Sequence, residues 1–124
     1  MNRYAMIAIG GALGAIARYQ VAAVIQARVP VGFPYGTFVV NVTGCFIMGV
    51  VTVLLTDRLV IHPNWRFLIP IGFIGAYTTF STFELETFLA VSEQAWSTAI
   101  ANIVFSVVAG YLALWAGFVA ARAL

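Results

Sequence analysis

Two kinds of side chain suited to a small anion lie together in the segment 78–83, which reads Thr-Thr-Phe-Ser-Thr-Phe. Four of its six residues carry hydroxyl groups, which are neutral hydrogen-bond donors. Phe80 and Phe83 are three residues apart, a spacing that puts both rings on one face of a helix. The edge of a benzene ring carries positive potential and can therefore face an anion. Taken alone, two phenylalanines at this spacing indicate ordinary packing, so the neighbouring elements decide between the two interpretations.

Neutral polar side chains also recur at helical spacing in two other segments. Thr37 and Asn41 lie four residues apart, and Asn102 and Ser106 repeat that spacing later in the chain. Pairs at this spacing share one face of a helix. Such stripes either join helices to one another or line a pathway. Together with the segment 78–83, they favour a pathway.

The sequence lacks the side-chain patterns typical of enzymes and of nucleic-acid-binding proteins. It has no P-loop lysine and one histidine, His62, which we expect to be a solvated loop residue. Cys45 has no second cysteine, which excludes a disulfide within one chain and a cysteine-based metal site. The six arginines are scattered singly, whereas nucleic-acid binding needs a concentrated basic surface. We therefore expect neither an enzyme nor a nucleic-acid partner.

The composition is that of a membrane protein. Of the 124 residues, 63% are hydrophobic and only 8% are charged, whereas soluble domains carry about a quarter charged residues. Since a helix needs about 20 apolar residues to cross a bilayer, the chain accommodates about four spans and no separate soluble domain. The stretches free of charge predict an all-α fold in one transmembrane domain, 1–124, with spans at about 4–26, 34–56, 66–92 and 96–121.

The third predicted span should be broken near the middle of the membrane. Its midpoint falls on the segment 78–83, just after Gly72 and Gly75, and all of these residues are moderate or weak helix formers. In hydrocarbon, a break leaves backbone groups without partners, which is tolerated only where they face protein or a water-filled cavity. Several transporters build ion sites at broken helices of this kind.

Orientation and assembly follow from the arginines and from the small number of polar groups. Four arginines lie on the side of the termini and two, Arg18 and Arg28, on the other, which favours cytoplasmic termini but also allows a dual orientation. Gly10 and Gly14 form a Gly-x-x-x-Gly spacing that permits close helix contact. Because four short helices with so few polar groups are too small to enclose a path alone, we expect a homo-oligomer.

These residues converge on a known pattern. The run from Gly72 to Phe83, followed by Glu84-Leu85-Glu86, closely resembles the third-helix signature of the Fluc (CrcB) fluoride channels. The runs 14–19, Gly-Ala-Ile-Ala-Arg-Tyr, and 36–44, Gly-Thr-Phe-Val-Val-Asn-Val-Thr-Gly, resemble the first- and second-helix motifs of that family. The resemblance covers essentially the whole chain.

The resemblance implies an assembly and a cofactor. Members of this family are antiparallel, dual-topology homodimers in the lipid bilayer, with two fluoride pores and a sodium ion at the centre of the interface. By motif match, the backbone carbonyls of Gly75 and Thr78 from both subunits hold the Na⁺ ion.

The resemblance also assigns the fluoride path to particular side chains. By motif match, the ring edges of Phe80 and Phe83 bind fluoride, and Asn41 donates a hydrogen bond to it. Ser81 and Thr82 belong to the polar track near the phenylalanines. Glu86 lies toward a pore mouth, and Arg18 lies in the vestibule. The polar stripes add Thr37 from the second helix, and Asn102 and Ser106 from the fourth, where the family also places polar pore residues.

Three functions remain open from the sequence. The first is passive, electrogenic fluoride export across the bacterial inner membrane, which protects the cell against fluoride. The second is a small four-helix multidrug or guanidinium exporter, a class that works through a glutamate in its first span, whereas residues 4–27 contain no Asp or Glu. The third is a non-transporting assembly subunit, which leaves the hydroxyl-rich break without a purpose.

Overall fold

The regular secondary structure of the described residues is all helical. The computed structural model describes residues 2–58 and 64–124, so the loop predicted around His62 lies outside the described residues. Its α-helices are α1 (Arg3–Gln26), α2 (Tyr35–Val53), α3 (Gly75–Tyr77), α4 (Phe80–Ser92) and α5 (Trp96–Ala123). There are also two π-helical segments. Leu54–Arg58 extends α2 at its end, and Phe67–Ile74 directly precedes α3. The predicted all-α fold class is confirmed.

Within the described residues, three helices are long and apolar enough to cross a membrane, namely Arg3–Gln26, Tyr35–Thr56 and Trp96–Ala123. The third span in chain order lies between the last two of these helices, and it is made of the π-helical segment Phe67–Ile74, α3 and α4 in succession. Between α3 and α4 the backbone is extended, with φ −78° and ψ 156° at Thr78 and φ −148° and ψ 117° at Thr79. The prediction of a broken third span is therefore confirmed, and the break lies at the start of the segment 78–83.

The first half of the third span is wound as a π-helix and not as a regular α-helix. Pro70 has no N–H group to close a regular turn, and Phe67–Ile74 forms a wider π-helix around it. The N–H of Gly75 reaches back five residues to the carbonyl of Pro70, which is the π-helical pattern. The proline is thus accommodated by local widening, and the segment ends with Ile74 buried.

Glycines let this first half approach α1 at backbone distance. A Cβ atom added at Gly10 would collide with the carbonyl oxygen of Leu68, and one at Gly14 with the carbonyl oxygen of Phe73. A third glycine, Gly72, lies opposite and leaves room for the Gly10 backbone. Close backbone contact of this kind is how helices associate where no hydrophobic effect drives them together. The spacing of Gly10 and Gly14 therefore serves packing within the chain.

The same device joins α2 to α5. A Cβ atom at Gly49 would collide with the carbonyl oxygen of Leu114, and one at Gly117 with that of Phe46. Earlier in both helices than these two contacts, the Cys45 sulfur lies against Gly110, where an added Cβ would be 3.5 Å from it. Glycine contacts thus pair α1 with the first half of the third span, and they pair α2 with α5. The break between α3 and α4 is left facing α2.

Candidate functional site

The break in the third span is bridged by one side chain of α2. The Nδ2 of Asn41 donates to the carbonyl oxygen of Thr79 at 3.0 Å, and its Oδ1 accepts from the Thr79 N–H at 2.8 Å. A carboxamide has two N–H donors, so one donor of Asn41 remains after these bonds. The predicted fluoride donor therefore also pairs both backbone groups of Thr79, which a break in hydrocarbon must satisfy.

Thr79 itself caps the helix that follows the break. Its Oγ1 accepts from the Thr82 N–H at 3.2 Å and donates to the Thr82 Oγ1 at 3.0 Å. The hydroxyl oxygen of Ser81 lies 3.5 Å from the Oγ1 of Thr79. A threonine is a favoured N-cap because its hydroxyl pairs one of the free N–H groups of the first turn. With Thr79 as the donor, the hydroxyl proton of Thr82 is left for another acceptor.

A cavity of about 430 Å³ opens between α1, α2 and α4 beside this cap. It brings together four of the predicted site residues, namely Arg18, Thr37, Thr82 and Glu86, together with Thr79. At its rim, α1 and α2 touch, since a Cβ added at Gly36 would lie 2.6 Å from the Ala22 carbonyl oxygen. The cavity thus has a polar side formed by α4 and a tightly packed edge.

The cavity holds one acidic and one basic side chain. The hydroxyl of Thr37 donates to Oε1 of Glu86 at 2.6 Å, while Oε2 of Glu86 is buried without a hydrogen-bond partner among the described residues. The Nε of Arg18 is likewise buried without a partner in the described part of the chain. Unpaired polar atoms of this kind are costly unless water or an ion reaches them. The two atoms therefore indicate that water or an ion enters the cavity and binds there.

The two phenylalanines differ in their surroundings although their rings lie together. Their centroids are 5.6 Å apart and the planes are tilted by 36°. The Phe83 side chain is only 7% exposed, whereas Phe80 is 72% exposed in the single chain. Since Phe80 begins α4 at the break, an exposed aromatic ring faces outward near the middle of the span. One chain alone therefore does not enclose the pair of rings.

Asn102 and Ser106 lie in a buried contact between α4 and α5. The Nδ2 of Asn102, which is 2% exposed, donates to the hydroxyl oxygen of Thr87 at 2.9 Å. Thr87 donates in turn to the Phe83 carbonyl oxygen at 2.8 Å, and Ser106 donates to Oδ1 of Asn102 at 3.2 Å. The two predicted residues of the fourth helix are thus joined to the helix that carries Phe83, and they form a group separate from the residues around Glu86.

The carbonyls of Gly75 and Thr78 lie at the break and lose their helical donors. In a continuous helix they would accept from the N–H groups of Thr79 and Thr82. Those two N–H groups bind Oδ1 of Asn41 and Oγ1 of Thr79 instead. The structure therefore offers, at the two positions expected to bind sodium, carbonyl oxygens whose usual donors are engaged elsewhere.

Three residues of this region were not predicted as site residues. Thr79 belongs to the hydroxyl-rich segment, and its position three residues before Thr82 is a helix-cap spacing that could have indicated its role. Thr87 is four residues after Phe83, a back-bonding spacing that many helices contain without functional meaning. Gln26 accepts from the Gly36 N–H at 3.2 Å, a contact between two helices that no local pattern indicates.

Comparison with known proteins decides the family. Residues 5–118 match the profile of the family described as CrcB-like protein, Camphor Resistance (CrcB). The chain belongs to this family. A relative from Solibacter usitatus named fluoride-specific ion channel FluC is 49% identical over 120 residues, which cover 97% of this chain and 98% of the relative.

Further relatives carry the same name and also match over nearly their full length. The protein from Acidobacterium capsulatum is 50% identical over 117 residues, with 94% of each chain covered. The protein from Citrifermentans bemidjiense is 41% identical over 124 residues, with 100% of each chain covered. The resemblance noted in the sequence is therefore confirmed, and the chain is a multi-pass membrane protein of a channel family and not an enzyme.

Proposed function

We propose that this chain is a fluoride-selective ion channel that exports fluoride passively and electrogenically across the bacterial inner membrane. The observation that carries the proposal is the 49% identity, over 97% of the chain, with a protein named fluoride-specific ion channel FluC. When a cell in acid takes up hydrogen fluoride, the acid dissociates inside and the negative membrane potential drives the anion out. Such export needs a selective path and no coupled energy source.

The path has to replace the water that fluoride loses. Burial of a bare anion in a low-dielectric medium costs tens of kcal/mol by Born solvation, so hydrogen-bond donors must take over. The remaining N–H of Asn41 and the free hydroxyl proton of Thr82 are neutral donors at the helix break. Neutral donors suit conduction because several weak sites let an ion bind and leave again, whereas a fixed cationic ligand holds it.

Fluoride approaches this path through the cavity between α1, α2 and α4, which serves as the vestibule. Arg18 supplies positive charge there, and Thr37 orients the carboxylate of Glu86 by a 2.6 Å hydrogen bond. Phe80 and Phe83 receive the ion with their ring edges beyond the break, and Ser81 continues the hydroxyl track. Asn102 and Ser106, on the side of α5, are hydrogen-bonded through Thr87 to the helix that carries Phe83.

The channel works as an antiparallel homodimer with a sodium ion at its centre. The 72% exposure of Phe80 in one chain supports this assembly, because a partner subunit would cover the ring and complete the site. The donor set also fits sodium, since carbonyl oxygens suit hard cations and those of Gly75 and Thr78 are released from their helical donors. When bound, Na⁺ supplies positive charge that holds two helix breaks together.

Fluoride efflux from liposomes tests the proposal. The purified chain is reconstituted with internal potassium fluoride, and external fluoride is read with an electrode before and after addition of a potassium ionophore. Rapid, ionophore-dependent release of fluoride, with no release from matched chloride-loaded liposomes, is expected of an electrogenic, selective channel. Absence of fluoride release from a monodisperse, dimeric preparation would contradict the proposal.

A further inference from the structure

We infer that Thr87 is a positioning residue for Phe83, and that Asn102 acts through Thr87 to fix the helix turn that carries the Phe83 ring. This inference rests on the proposed function, because it takes Phe83 as a ring-edge ligand of fluoride. It assigns Thr87 a role in conduction and gives Asn102 a different role from direct contact with the ion.

The hydrogen bonds run in one direction from α5 to the Phe83 backbone. Ser106 donates to Oδ1 of Asn102 at 3.2 Å, and Nδ2 of Asn102 donates to Thr87 at 2.9 Å. The only proton of the Thr87 hydroxyl then goes to the Phe83 carbonyl at 2.8 Å. Thr87, Asn102 and Phe83 are all buried, so no bulk water can replace these bonds. The chain of bonds ends on the backbone of the residue whose ring orientation matters.

The helix α4 needs such an anchor because it starts at a break. Its first turn is held by the cap on Thr79 and by the contact of Thr79 with Asn41, both of which act at the N-terminus. These contacts leave the rotation of α4 about its own axis to be fixed further along. Two bonds do this further along α4, the bond from Thr37 on α2 to Glu86 and the bond from Asn102 on α5 to Thr87, and the second continues to the Phe83 carbonyl. Rotation of α4 would turn the Phe83 ring away from Phe80, whose centroid is 5.6 Å away.

Burial argues against direct contact of Asn102 with the ion. The side chain is 2% exposed, and both its oxygen and its nitrogen are engaged within the same chain. The residues around the vestibule, by contrast, include polar atoms that have no partner among the described residues, such as Oε2 of Glu86. A residue of an open path is expected to keep unpaired groups of that kind, whereas Asn102 is buried and has its oxygen and one of its two N–H groups engaged within the chain.

Single-channel fluoride currents in planar bilayers test the inference, because current per channel does not depend on how much protein folded. Thr87→Val keeps the side-chain shape but removes both hydrogen bonds, whereas Thr87→Ser keeps the hydroxyl. We expect Thr87→Val to lower the current between about threefold and about eighteenfold, the factor that one interhelical hydrogen bond in a membrane represents. Thr87→Ser should restore it, and the fluoride-to-chloride permeability ratio should fall in Thr87→Val but not in Thr87→Ser.

The matched control is Ser92→Ala. Ser92 makes the same type of bond on the same helix, from its Oγ to the Phe88 carbonyl at 2.9 Å, but it is exposed at the last turn. Its removal should leave the current unchanged. Asn102→Leu keeps the bond between Thr87 and Phe83 but removes its support from α5, and it provides a second test if Thr87→Val does not assemble. We expect its current and its fluoride-to-chloride ratio to fall as well.

Two results would overturn the inference. One is a wild-type current in Thr87→Val. If the current of Asn102→Leu is reduced at the same time, Asn102 contacts the ion directly. The other, where Thr87→Val does not assemble, is a wild-type current in Asn102→Leu. Phe83→Ile in the same bilayers separates this failure from failure of the proposed function. If Phe83→Ile conducts like the wild type, the ring-edge assignment itself is wrong; if Phe83→Ile is blocked while Thr87→Val conducts normally, only the positioning role is wrong.

Discussion

The two halves of the third span differ in composition and in what they contact. The first half, Phe67–Ile74 with α3, is apolar and lies against α1 at glycine backbone distance. The second half, α4, begins with an exposed Phe80 and carries the carboxylate of Glu86 at a cavity. Both halves cross the same membrane as parts of one span, yet one is built for packing and the other for polar contacts.

This difference shows what a helix break provides. A continuous helix in a bilayer has no free backbone groups to offer, because each is paired within the helix. The break at Thr78–Thr79 frees such groups, and Asn41 from α2 pairs both groups of Thr79. The first half packs closely on α1, while the second half begins a new helix that is capped by Thr79. Substitutions should therefore affect stability in the first half and conduction in the second.

The largest effect is expected for the packing of the first half on α1. In Gly14→Ala, the added Cβ would collide with the Phe73 carbonyl oxygen, a backbone atom that cannot turn aside. We expect loss of stability at or above the upper end of the range of about 1–3 kcal/mol typical of overpacking, read as a lower melting temperature in detergent.

Gly11→Ala is the matched control for Gly14→Ala. The nearest atom to a Cβ at Gly11 is the Gly72 carbonyl oxygen at 4.0 Å, which is ordinary contact. Since glycine within a helix is worse than alanine by about 0.5–1 kcal/mol, this variant should be as stable as the wild type or more so. Equal melting temperatures for the two variants would remove the glycine contact from the account.

Asn41→Asp should have the largest effect on conduction. It places a carboxylate oxygen 3.0 Å from the Thr79 carbonyl oxygen, in place of a donor, and it adds negative charge beside the path. Two like charges 4 Å apart at an effective dielectric constant of about 20 repel by about 4 kcal/mol, so fluoride flux should fall by at least about a hundredfold. Liposome efflux measures this fall.

The control for charge alone is Gln94→Glu, which adds the same charge at an exposed position directly after α4. Its fluoride flux should equal that of the wild type. Normal flux in Asn41→Asp, from a preparation that elutes as the wild type does, would take Asn41 off the path.

Arg18→Gln should have a smaller and more specific effect. The guanidinium attracts anions into the cavity without being part of the break, so its loss should raise the fluoride concentration for half-maximal current. We expect a shift of about twofold to fivefold, in the range of partly screened charge interactions, and a smaller shift in high salt. Arg28→Gln, at an exposed position beyond α1, is the control. An equal loss of current at saturating fluoride would contradict a purely attractive role.

Tyr77→Phe should have the smallest effect. The Tyr77 hydroxyl lies 2.9 Å from the Thr43 hydroxyl, in the first half of the span just before the break. Since interhelical hydrogen bonds in membranes are worth about 0.6 kcal/mol on average, we expect a slight drop in melting temperature and unchanged fluoride current. Tyr111→Phe, at an exposed ring, controls for the substitution. A large loss of current in Tyr77→Phe would show that the first half also carries conduction.

The break, like the all-α fold class, could be predicted from the sequence. Hydroxyl residues and glycines in the middle of an apolar stretch are poor helix formers, and their position in the chain locates the interruption. The family motif indicates Phe80, Phe83 and Asn41 as site residues from the sequence alone. Local residue type was sufficient because the signal lies within one short segment.

Contacts between distant segments could not be predicted in the same way. The bonds between Asn41 and Thr79 join residues 38 positions apart, and their geometry depends on how α2 lies against the break. Whether Asn102 faces a path or a neighbouring helix depends on the rotation of α5, which the nearly uniform apolar sequence of that helix does not specify. The widening around Pro70 likewise depends on the fit of Phe67–Ile74 against α1.

Removal of the two aromatic rings from α4 shows whether this helix, after the break, carries the fluoride path. Ionophore-driven fluoride efflux is measured for the wild type, Phe80→Ile and Phe83→Ile, each from a preparation that elutes as the wild type does. Isoleucine keeps an apolar side chain at each position but removes the ring edge. We expect rapid, chloride-free fluoride release from the wild type and a sharp loss in both variants. Fluoride release at the wild-type rate from both would contradict the account.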